Sequence, residues 1–346
     1  MKTRRDFLLQ SGFVTAAALL ERSPLVAQQA TTKAAPAQQN ANPPAQPGAT
    51  APAQPNANPA VQPNPTLPDQ LLKAAATETI KTTKLTDTIF LLQGVGGNVV
   101  CQTGPDGKLV IDSQISTGTH QLSDALNKLG AQPLHMLVNT HWHFDHTDGN
   151  AALHLAGAFI VAHDNTRLRL SKPQYMEVYD VHFPAAPDAA LPQQTFPESN
   201  TLWINNDQAD LVHAPSAHTD SDIFIHFVRG NVIHTGDLWF NGMYPLIDLS
   251  SGGSINGMIR GVDQVLALAD DRTKIVPGHG ALGNKGQLQA YREMLINVAN
   301  RVEKLKAEGN TVQQAIAAKP TADLDDSWAK GPIKPDTFVA IIFNSL

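Results

Sequence analysis

Apolar and polar residues alternate in three short runs at the start of the globular part of the chain. The runs cover residues 86–92, 98–103 and 108–111, and glycine-containing turns at 94–97 and 104–107 separate them. Alternation with a period of two is typical of strands with one buried face, and glycine turns between such runs are typical of hairpins. The pattern therefore predicts a β-meander.

A helical period follows the meander. Leu122, Leu126 and Leu129 recur every three or four residues, which predicts a helix over 118–129 with one apolar face. The short, mostly apolar run 134–138 then predicts another strand. A strand, a helix and a strand in this order are typical of an α/β layer fold.

The same order recurs in the second half of the chain. Further strands are predicted near 202 and at 210–212, 223–228, 231–234 and 274–276, with a helix over 255–268 before the last of them. We therefore expect two βα halves, one on each side of about residue 195. An apolar stripe predicts a final amphipathic helix on the core, formed by Tyr291, Leu295, Val298, Val302 and Leu305.

The segment before the globular part has a different composition. Ten of the 24 prolines lie between positions 36 and 68, where Ala, Gln and Asn supply nearly all the other residues. Such a stretch has too few apolar side chains to offset the entropy of folding, so we predict a disordered linker over 28–70. Before it, Arg4 and Arg5 precede a weakly apolar run that is too short to span a bilayer, which indicates a twin-arginine signal peptide over 1–27.

This organisation leaves one globular domain. The expected parts are the signal peptide (1–27), the linker (28–70), the domain (71–305) and a C-terminal extension packed on the domain (306–346). A twin-arginine signal implies recognition by the twin-arginine export machinery, and hence a periplasmic or secreted location. No integral membrane segment is expected in the mature protein.

The charge and cysteine content of the chain exclude several kinds of partner and site. The formal net charge is −6, and the sequence has no cluster of Lys and Arg. Nucleic acids and anionic membranes are bound by such clusters, so we expect a small-molecule substrate and no nucleic acid. Cys101 is the one cysteine, which excludes an intramolecular disulfide and a cysteine-cluster metal site.

Histidines are concentrated in one part of the chain, and four candidate metal ligands follow the strand predicted at 134–138. All thirteen histidines lie between positions 120 and 279. His141 and His143 are two residues apart, so in extended backbone their side chains point the same way and can hold one metal ion. Asp145 and His146 lie beyond the strand end and point towards a second ion. Imidazole and carboxylate ligands suit zinc.

Three later segments offer the further ligands that two ions need. They carry His218, Asp237 and His279, and each follows an apolar strand or adjoins a glycine. Together with 139–146, these segments resemble in order and spacing the motifs of the metallo-β-lactamase superfamily, and the resemblance covers roughly residues 79–300. It implies a four-layer αββα sandwich built from two βα halves.

The resemblance also implies a role for each residue of these motifs. His141, His143 and His218 would bind the first of two zinc ions, and Asp145, His146 and His279 the second. Asp237 would bridge the two ions, as in glyoxalase II, and a bridging hydroxide would be the nucleophile. Among these ligands, we assign Asp145 and His218 to catalysis as well.

Five more residues are expected around the ligands. Asp112, which resembles the first structural aspartate of the superfamily, and His234 are expected to support the ligands by hydrogen bonds. Trp239, Phe240 and Tyr244 follow the bridging position and are expected to line a substrate pocket.

These expectations describe an exported zinc hydrolase that cleaves an activated acyl bond in a β-lactam, lactone, ester or thioester. A class B-like β-lactamase is one member of this set. The zinc β-lactamases with the best-known pattern carry a cysteine where this chain has Asp237, and Asp237 is more similar to the arrangement in glyoxalase II. Two alternatives stay open: a mononuclear iron enzyme similar to the persulfide dioxygenases, and a non-catalytic exported metal-binding protein.

Overall fold

The computed structural model describes residues 67–346, and a seven-stranded sheet occupies the first half of these residues. The strands in chain order are β1 (Lys81–Lys84), β2 (Ile89–Gln93), β3 (Val99–Gln102), β4 (Lys108–Ile111), β5 (Leu134–Val138), β6 (Phe159–His163), β7 (Gln174–Met176), β8 (Val181–Phe183), β9 (Gln194–Phe196), β10 (Ser199–Ile204), β11 (Asp207–His213), β12 (Ile223–Phe227), β13 (Val232–His234) and β14 (Lys274–Val276). The first sheet has the order β1-β2-β3-β4-β5-β6-β9. Its first four strands are antiparallel, which confirms the predicted meander, and β4, β5, β6 and β9 are parallel.

A five-stranded sheet forms the second half, with the order β10-β11-β12-β13-β14. The first four strands are antiparallel, and β14 lies parallel to β13 because a helix returns the chain between them. Strands of the second βα half were predicted close to their observed positions. Each half therefore ends in parallel strands, whose carboxyl ends lie at the same edge of their sheet.

Helices cover both outer faces of the paired sheets. They are α1 (Leu67–Ala75), α2 (Thr119–Lys128), α3 (Phe144–Thr147), α4 (Asn150–Leu155), α5 (Asp164–Leu170), α6 (Ile255–Leu268), α7 (Lys285–Ala307), α8 (Val312–Ala317), α9 (Asp325–Trp328) and α10 (Pro335–Ser345). Leu122 and Leu126 of α2 are buried against the first sheet, and α6, α7 and α10 share the core on the outer face of the second sheet. A third apolar core, which includes Leu109, Ile111 and Ile225, fills the space between the sheets. The αββα sandwich is confirmed.

The last predicted helix is confirmed as α7, and it is longer than its apolar stripe. Tyr291, Leu295 and Val298 are fully buried on one face. Asn284 and Gln287 form a capping box at its start, in which each side chain accepts a hydrogen bond from the backbone amide of the other residue. This cap fixes where the chain turns after β14.

Several elements have no counterpart in the predictions. The hairpin of β7 and β8 has three-residue strands, which are too short for a periodic pattern to reveal. Beyond α7, the sequence predicted an extension packed on the domain but no helix within it; the buried residues Phe338, Val339 and Ile342 of α10 belong to the same core as the second sheet. No helix within residues 67–346 has the length and apolar character that a membrane span requires. The predicted signal peptide (1–27), and the predicted linker as far as residue 66, lie outside the described residues.

Candidate metal centre

Seven histidine and aspartate side chains converge at the edge where parallel strands of both sheets end. They form two adjacent groups, one of His141, His143, His218 and Asp237 and the other of Asp145, His146 and His279. Four of the seven follow β5, one lies in the loop between β11 and β12, and two follow β13 and β14. Within each group the potential ligand atoms all lie within 4.8 Å of one another. The sequence placed these residues in four separate segments, and the fold brings them together.

Backbone hydrogen bonds join the two sheets at this edge. The amide of Asn98 donates to the carbonyl of Gly278 over 2.8 Å, and the amide of Ile223 donates to the carbonyl of Thr140 over 2.8 Å. Because each bond adjoins a segment with candidate ligands, the two halves hold their ligands in a fixed relation. A rigid arrangement of ligands is what a preorganised metal site needs.

The first group has the spacing of ligands around one ion. His143 Nδ1 lies 2.8 Å from His218 Nε2, and His218 Nε2 lies 3.4 Å from Asp237 Oδ2. The Nε2 atom of His141 lies 3.9 Å from the same carboxylate oxygen. A tetrahedral zinc ion with bonds of about 2.0 to 2.2 Å separates its ligand atoms by about 3.3 to 3.6 Å, so these contacts bracket the required spacing.

The second group shares Asp237 with the first. His279 Nε2 lies 3.3 Å from Asp145 Oδ2 and 3.4 Å from His146 Nε2. Asp237 Oδ1 lies 3.2 Å from His146 Nε2, while its Oδ2 atom lies 3.4 Å from both His218 Nε2 and His279 Nε2. The Asp237 carboxylate therefore contacts both groups, as a bridging ligand must.

Unsatisfied polar atoms indicate that this cluster suits a bound cation. His141 Nε2 and Asp237 Oδ1 are buried and have no hydrogen-bond partner. A buried polar atom without a partner costs free energy, and a metal ion supplies one for an imidazole nitrogen and a carboxylate oxygen alike. The donor set of imidazoles and carboxylates fits a divalent ion that accepts nitrogen and oxygen ligands.

Burial and mutual charge prepare the groups for such an ion. Burial lowers the pKa of His218 to about 4, and it holds the pKa of His141 well below its ordinary value, so both rings are neutral at pH 7. Burial would raise the pKa of Asp237, but the nearby rings of His279 and His146 outweigh it and hold that pKa well below its ordinary value. Neutral imidazoles and an ionised carboxylate are the forms that bind metal.

His279 and Asp145 form the more exposed side of the cluster. Burial would lower the pKa of His279, but the carboxylates of Asp237 and Asp145 raise it to about 9. The pKa of Asp145 would rise with burial, yet the rings of His146 and His279 lower it to about 2. Without a metal ion, a proton therefore stays on the His279 side of the cluster at neutral pH, where an ion would displace it.

Hydrogen bonds from a second set of residues fix the ligand rings. Asp112 is fully buried, and its Oδ2 atom accepts from His146 Nδ1 over 2.7 Å. The amide and the hydroxyl of Thr140 also donate to this carboxylate, each over 2.7 Å. On the other side, His218 Nδ1 donates to the carbonyl of Leu246 over 2.8 Å. The bonds made by Nδ1 of His146 and Nδ1 of His218 leave Nε2 of each ring facing the cluster.

Asp248 has the same relation to His143, and sequence reasoning missed it. Its Oδ2 atom lies 3.0 Å from His143 Nε2, so Nδ1 of that ring faces the cluster. Burial would raise the pKa of Asp248, but hydrogen bonds from His143, Ser250 and Ser251 hold it well below its ordinary value. No local motif marks Asp248, because its partner lies 105 residues earlier in the chain.

The other predicted residues are divided between the cluster, the pocket and the core. His234 is fully buried, with Nε2 donating to the carbonyl of Asn98 over 2.9 Å and Nδ1 accepting from the amide of Gly236 over 3.0 Å. It therefore supports the backbone turn before Asp237 and contacts no ligand side chain through these bonds. Phe240 stacks on His279, with ring centroids 5.1 Å apart and 17° between the ring planes.

Trp239 and Tyr244 lie in the core, whereas the sequence analysis predicted that they line the pocket. Both are fully buried, and the Tyr244 hydroxyl donates to Asp325 Oδ1 over 2.8 Å. Trp239 has extended backbone, with φ −139° and ψ 124°, so its side chain and that of Phe240 point in opposite directions. Phe240 consequently faces the pocket, while Trp239 faces the helices of the second sheet.

A pocket of about 320 Å³ opens beside the cluster. His143, Asp145, Asp237 and His279 lie on its floor. The hairpin of β7 and β8 supplies Met176, Tyr179, Val181 and Phe183 to the wall. The other residues that line the pocket are Leu71 of α1, Gly96, Phe144, Phe240, Met243, Leu246 and Pro332. The hairpin was absent from the predictions, so most of this wall was as well.

Replacing Asp112 or Asp248 by Asn tests the supporting bonds separately. Asp112→Asn puts an amide where His146 needs an acceptor, and we expect the affinity for one zinc ion to fall about 10- to 100-fold. Asp248→Asn should lower the affinity for the other zinc ion by a similar factor, because Asp248 orients its ligand His143. Competition with a chromophoric chelator measures both affinities, and exposed Asp124→Asn is the control. Two ions bound with unchanged affinity in both variants would contradict these roles.

Comparison with known proteins agrees with this geometry. A family profile described as the metallo-beta-lactamase superfamily matches residues 89–279. A metallo-beta-lactamase from Pontibacter korlensis superposes with a TM-score of 0.53 at 18% identity, over 63% of this chain and 100% of that chain. DIM-1 metallo-beta-lactamase superposes with a TM-score of 0.50 at 18% identity, over 63% of this chain and 97% of that one.

The structure of a different kind of enzyme superposes on a larger fraction of this chain. The inverting sec-alkylsulfatase Pisa1 from Pseudomonas sp. superposes with a TM-score of 0.61 at 16% identity. The match covers 79% of this chain but 51% of that one, so the chain spans about half the length of the alkylsulfatase. At these identities the likeness concerns the fold alone. A search of curated protein sequences gave no match.

Proposed function

The chain belongs to the metallo-β-lactamase superfamily, and we propose that it is an exported hydrolase that binds two zinc ions and cleaves an activated acyl bond of a small molecule. The observation that carries this proposal is the position of Asp237, whose carboxylate lies within 3.4 Å of His146, His218 and His279. One carboxylate between two groups of imidazoles is suited to contact two ions at once, which supports a two-metal site. Candidate substrates are β-lactams, lactones, esters and thioesters.

The seven candidate ligands would be shared between the two ions. His141, His143 and His218 would hold the first ion, and Asp145, His146 and His279 the second, with Asp237 contacting both. When bound, two zinc ions supply Lewis acidity to a carbonyl oxygen and lower the pKa of water towards neutrality.

The protein's own contribution is to fix the ligands and to shape the pocket. Asp112 and Asp248 orient His146 and His143 through the bonds described above. Asp145 lines the pocket with its side chain 16% exposed, so the carboxylate oxygen that does not bind the ion can accept a hydrogen bond from the attacking water and orient it. His218 is fully buried and does not line the pocket, which supports a role as ligand more than direct contact with substrate. Apolar side chains around the floor exclude bulk water from the reacting bond.

Export is part of the proposal because of the N-terminal sequence. Arg4 and Arg5, the weakly apolar run after them and the proline-rich stretch up to residue 68 support a twin-arginine signal followed by a linker. Replacing Arg4 and Arg5 by Lys should retain the protein in the cytoplasm, which cell fractionation would show.

Metal analysis and hydrolysis assays on the mature protein test the catalytic proposal. We expect two zinc ions per chain, and turnover of a chromogenic cephalosporin or an activated ester that falls to background after chelation and returns with zinc. A chelator-sensitive kcat/KM above about 10⁴ M⁻¹s⁻¹ on the cephalosporin would identify a β-lactamase, and lower values with a faster ester would move the search to esters and lactones.

Two results would contradict the proposal of a hydrolase with two zinc ions. One iron ion per chain, with dioxygen consumed in the presence of a persulfide, would favour the dioxygenase alternative. Tight zinc binding without hydrolysis of any activated acyl substrate would favour a metal-binding protein.

A further inference from the structure

The pocket beside the metal centre has one chemical character on every side except its floor. Met176, Val181 and Phe183 come from the hairpin of β7 and β8. Phe240 and Leu246 come from the segment that follows Asp237. None of the described residues that line the pocket is Lys or Arg. A group of the substrate that lies away from the floor therefore meets hydrocarbon and aromatic carbon.

One neutral hydroxyl interrupts this lining. Apart from the candidate metal ligands on the floor, Tyr179 is the one described lining residue whose side chain can donate a hydrogen bond. A phenol has an ordinary pKa of about 10 and is uncharged at neutral pH. Tyr179 therefore keeps its proton and offers a single uncharged donor.

This inventory of donors separates neutral substrates from anionic ones. A carboxylate, sulfate or phosphate group at the far end of a substrate needs at least one cation or several donors. An unpaired charge against an apolar wall is strongly disfavoured, whereas each buried methylene adds favourable transfer free energy. An ester or lactone has a single carbonyl oxygen to satisfy at the reacting centre.

We propose that the pocket takes an uncharged ester or lactone with an apolar chain, and that the chain lies along the wall formed by Met176, Val181 and Phe183. The inference rests on the proposed function, because it places the acyl group at the metal centre. Hydrolysis adds one water across the acyl bond: the acyl carbon gains the hydroxyl, the C–O bond breaks, and the leaving oxygen takes the proton. No other reactant is needed.

A series of p-nitrophenyl esters tests the chain preference. With zinc-loaded protein, we expect kcat/KM to rise about fourfold per added methylene from the acetate to the hexanoate. The mono-p-nitrophenyl ester of adipic acid has the same number of chain carbons but ends in a carboxylate, and we expect its kcat/KM to be at least about a hundredfold below that of the hexanoate.

A charge placed on the wall should change this preference. Val181→Lys puts an ammonium group on the half-buried hairpin, and we expect the ratio of hexanoate to adipate monoester to fall at least about tenfold. Leu268→Lys is the matched control, since Leu268 is 46% exposed at the end of α6, away from the pocket, and should leave the ratio unchanged.

The outcomes separate this inference from the proposed function. Equal rates along the ester series, or faster hydrolysis of the adipate monoester than of the hexanoate, would overturn the inference while hydrolysis itself stands. Absence of ester and lactone hydrolysis by zinc-loaded protein that still hydrolyses a cephalosporin or a thioester would also overturn the inference alone. Absence of hydrolysis of every activated acyl substrate by protein that holds two zinc ions would count against the proposed function.

Discussion

Replacing Asp237 by Asn will lower kcat/KM on any substrate of this protein by at least about 10³-fold and will reduce the bound zinc below two ions per chain. Asn has nearly the same volume as Asp, so the buried side chain still fits between His146 and His218. It has lost the negative charge and one of the two carboxylate oxygens, and only those two oxygens contact both groups of imidazoles. Steady-state kinetics and metal analysis on the same preparations measure both effects.

The control for Asp237→Asn is an aspartate in an ion pair elsewhere. Asp263 on α6 pairs with Arg292 at the surface, and Asp263→Asn should retain activity and two zinc ions. Far-UV circular dichroism should be unchanged in both variants, because neither alters the packing volume. Activity of Asp237→Asn within tenfold of the unchanged protein would mean that Asp237 does not join two ions.

The sequence was informative about the cluster because its ligands occur in short segments tied to strand ends. His141, His143, Asp145 and His146 lie within six consecutive positions, in the bent loop and the short helix that follow β5. His218, Asp237 and His279 each lie in a comparable segment. The spacing within each segment is local, so periodicity and residue type could indicate it before the fold was known.

Asp112 was predicted to support the ligands and does bond to His146, but the other support around the cluster could not be found in this way. Asp248 reaches His143 across 105 positions, and nothing in its own neighbourhood distinguishes it from a surface aspartate. The pocket wall could not be predicted either, since Val181 and Phe183 lie on a hairpin whose strands have only three residues each. Contacts set by the tertiary fold leave no periodic trace in the sequence.

Neighbours in sequence can also mislead. Trp239 and Phe240 both follow Asp237 closely, and proximity alone suggested that both line the pocket. Extended backbone at Trp239 sends the two side chains in opposite directions, so one joins the core and the other stacks on His279. Where a side chain points is decided by the backbone conformation and not by its distance along the chain.

The C-terminal residues provide the second large effect, on stability. Phe338 of α10 is fully buried and stacks on Tyr244, with ring centroids 4.7 Å apart. We expect Phe338→Ala to lower the free energy of unfolding by about 3 to 5 kcal/mol, because it removes a large buried ring and leaves a cavity. Urea denaturation of the zinc-loaded protein, followed by circular dichroism, measures this change.

Phe343 on the same helix is the matched control, since it is only partly buried and Lys306 Nζ lies 5.1 Å from its ring centroid. Phe343→Ala should cost about 1 kcal/mol or less. Because Tyr244 begins the segment that contains Leu246 and Asp248, which bond to His218 and His143, Phe338→Ala should also weaken zinc binding. Equal costs for the two variants would show that residues beyond 305 pack on the domain without supporting it, whereas the expected difference makes them part of the structure that holds the metal ligands.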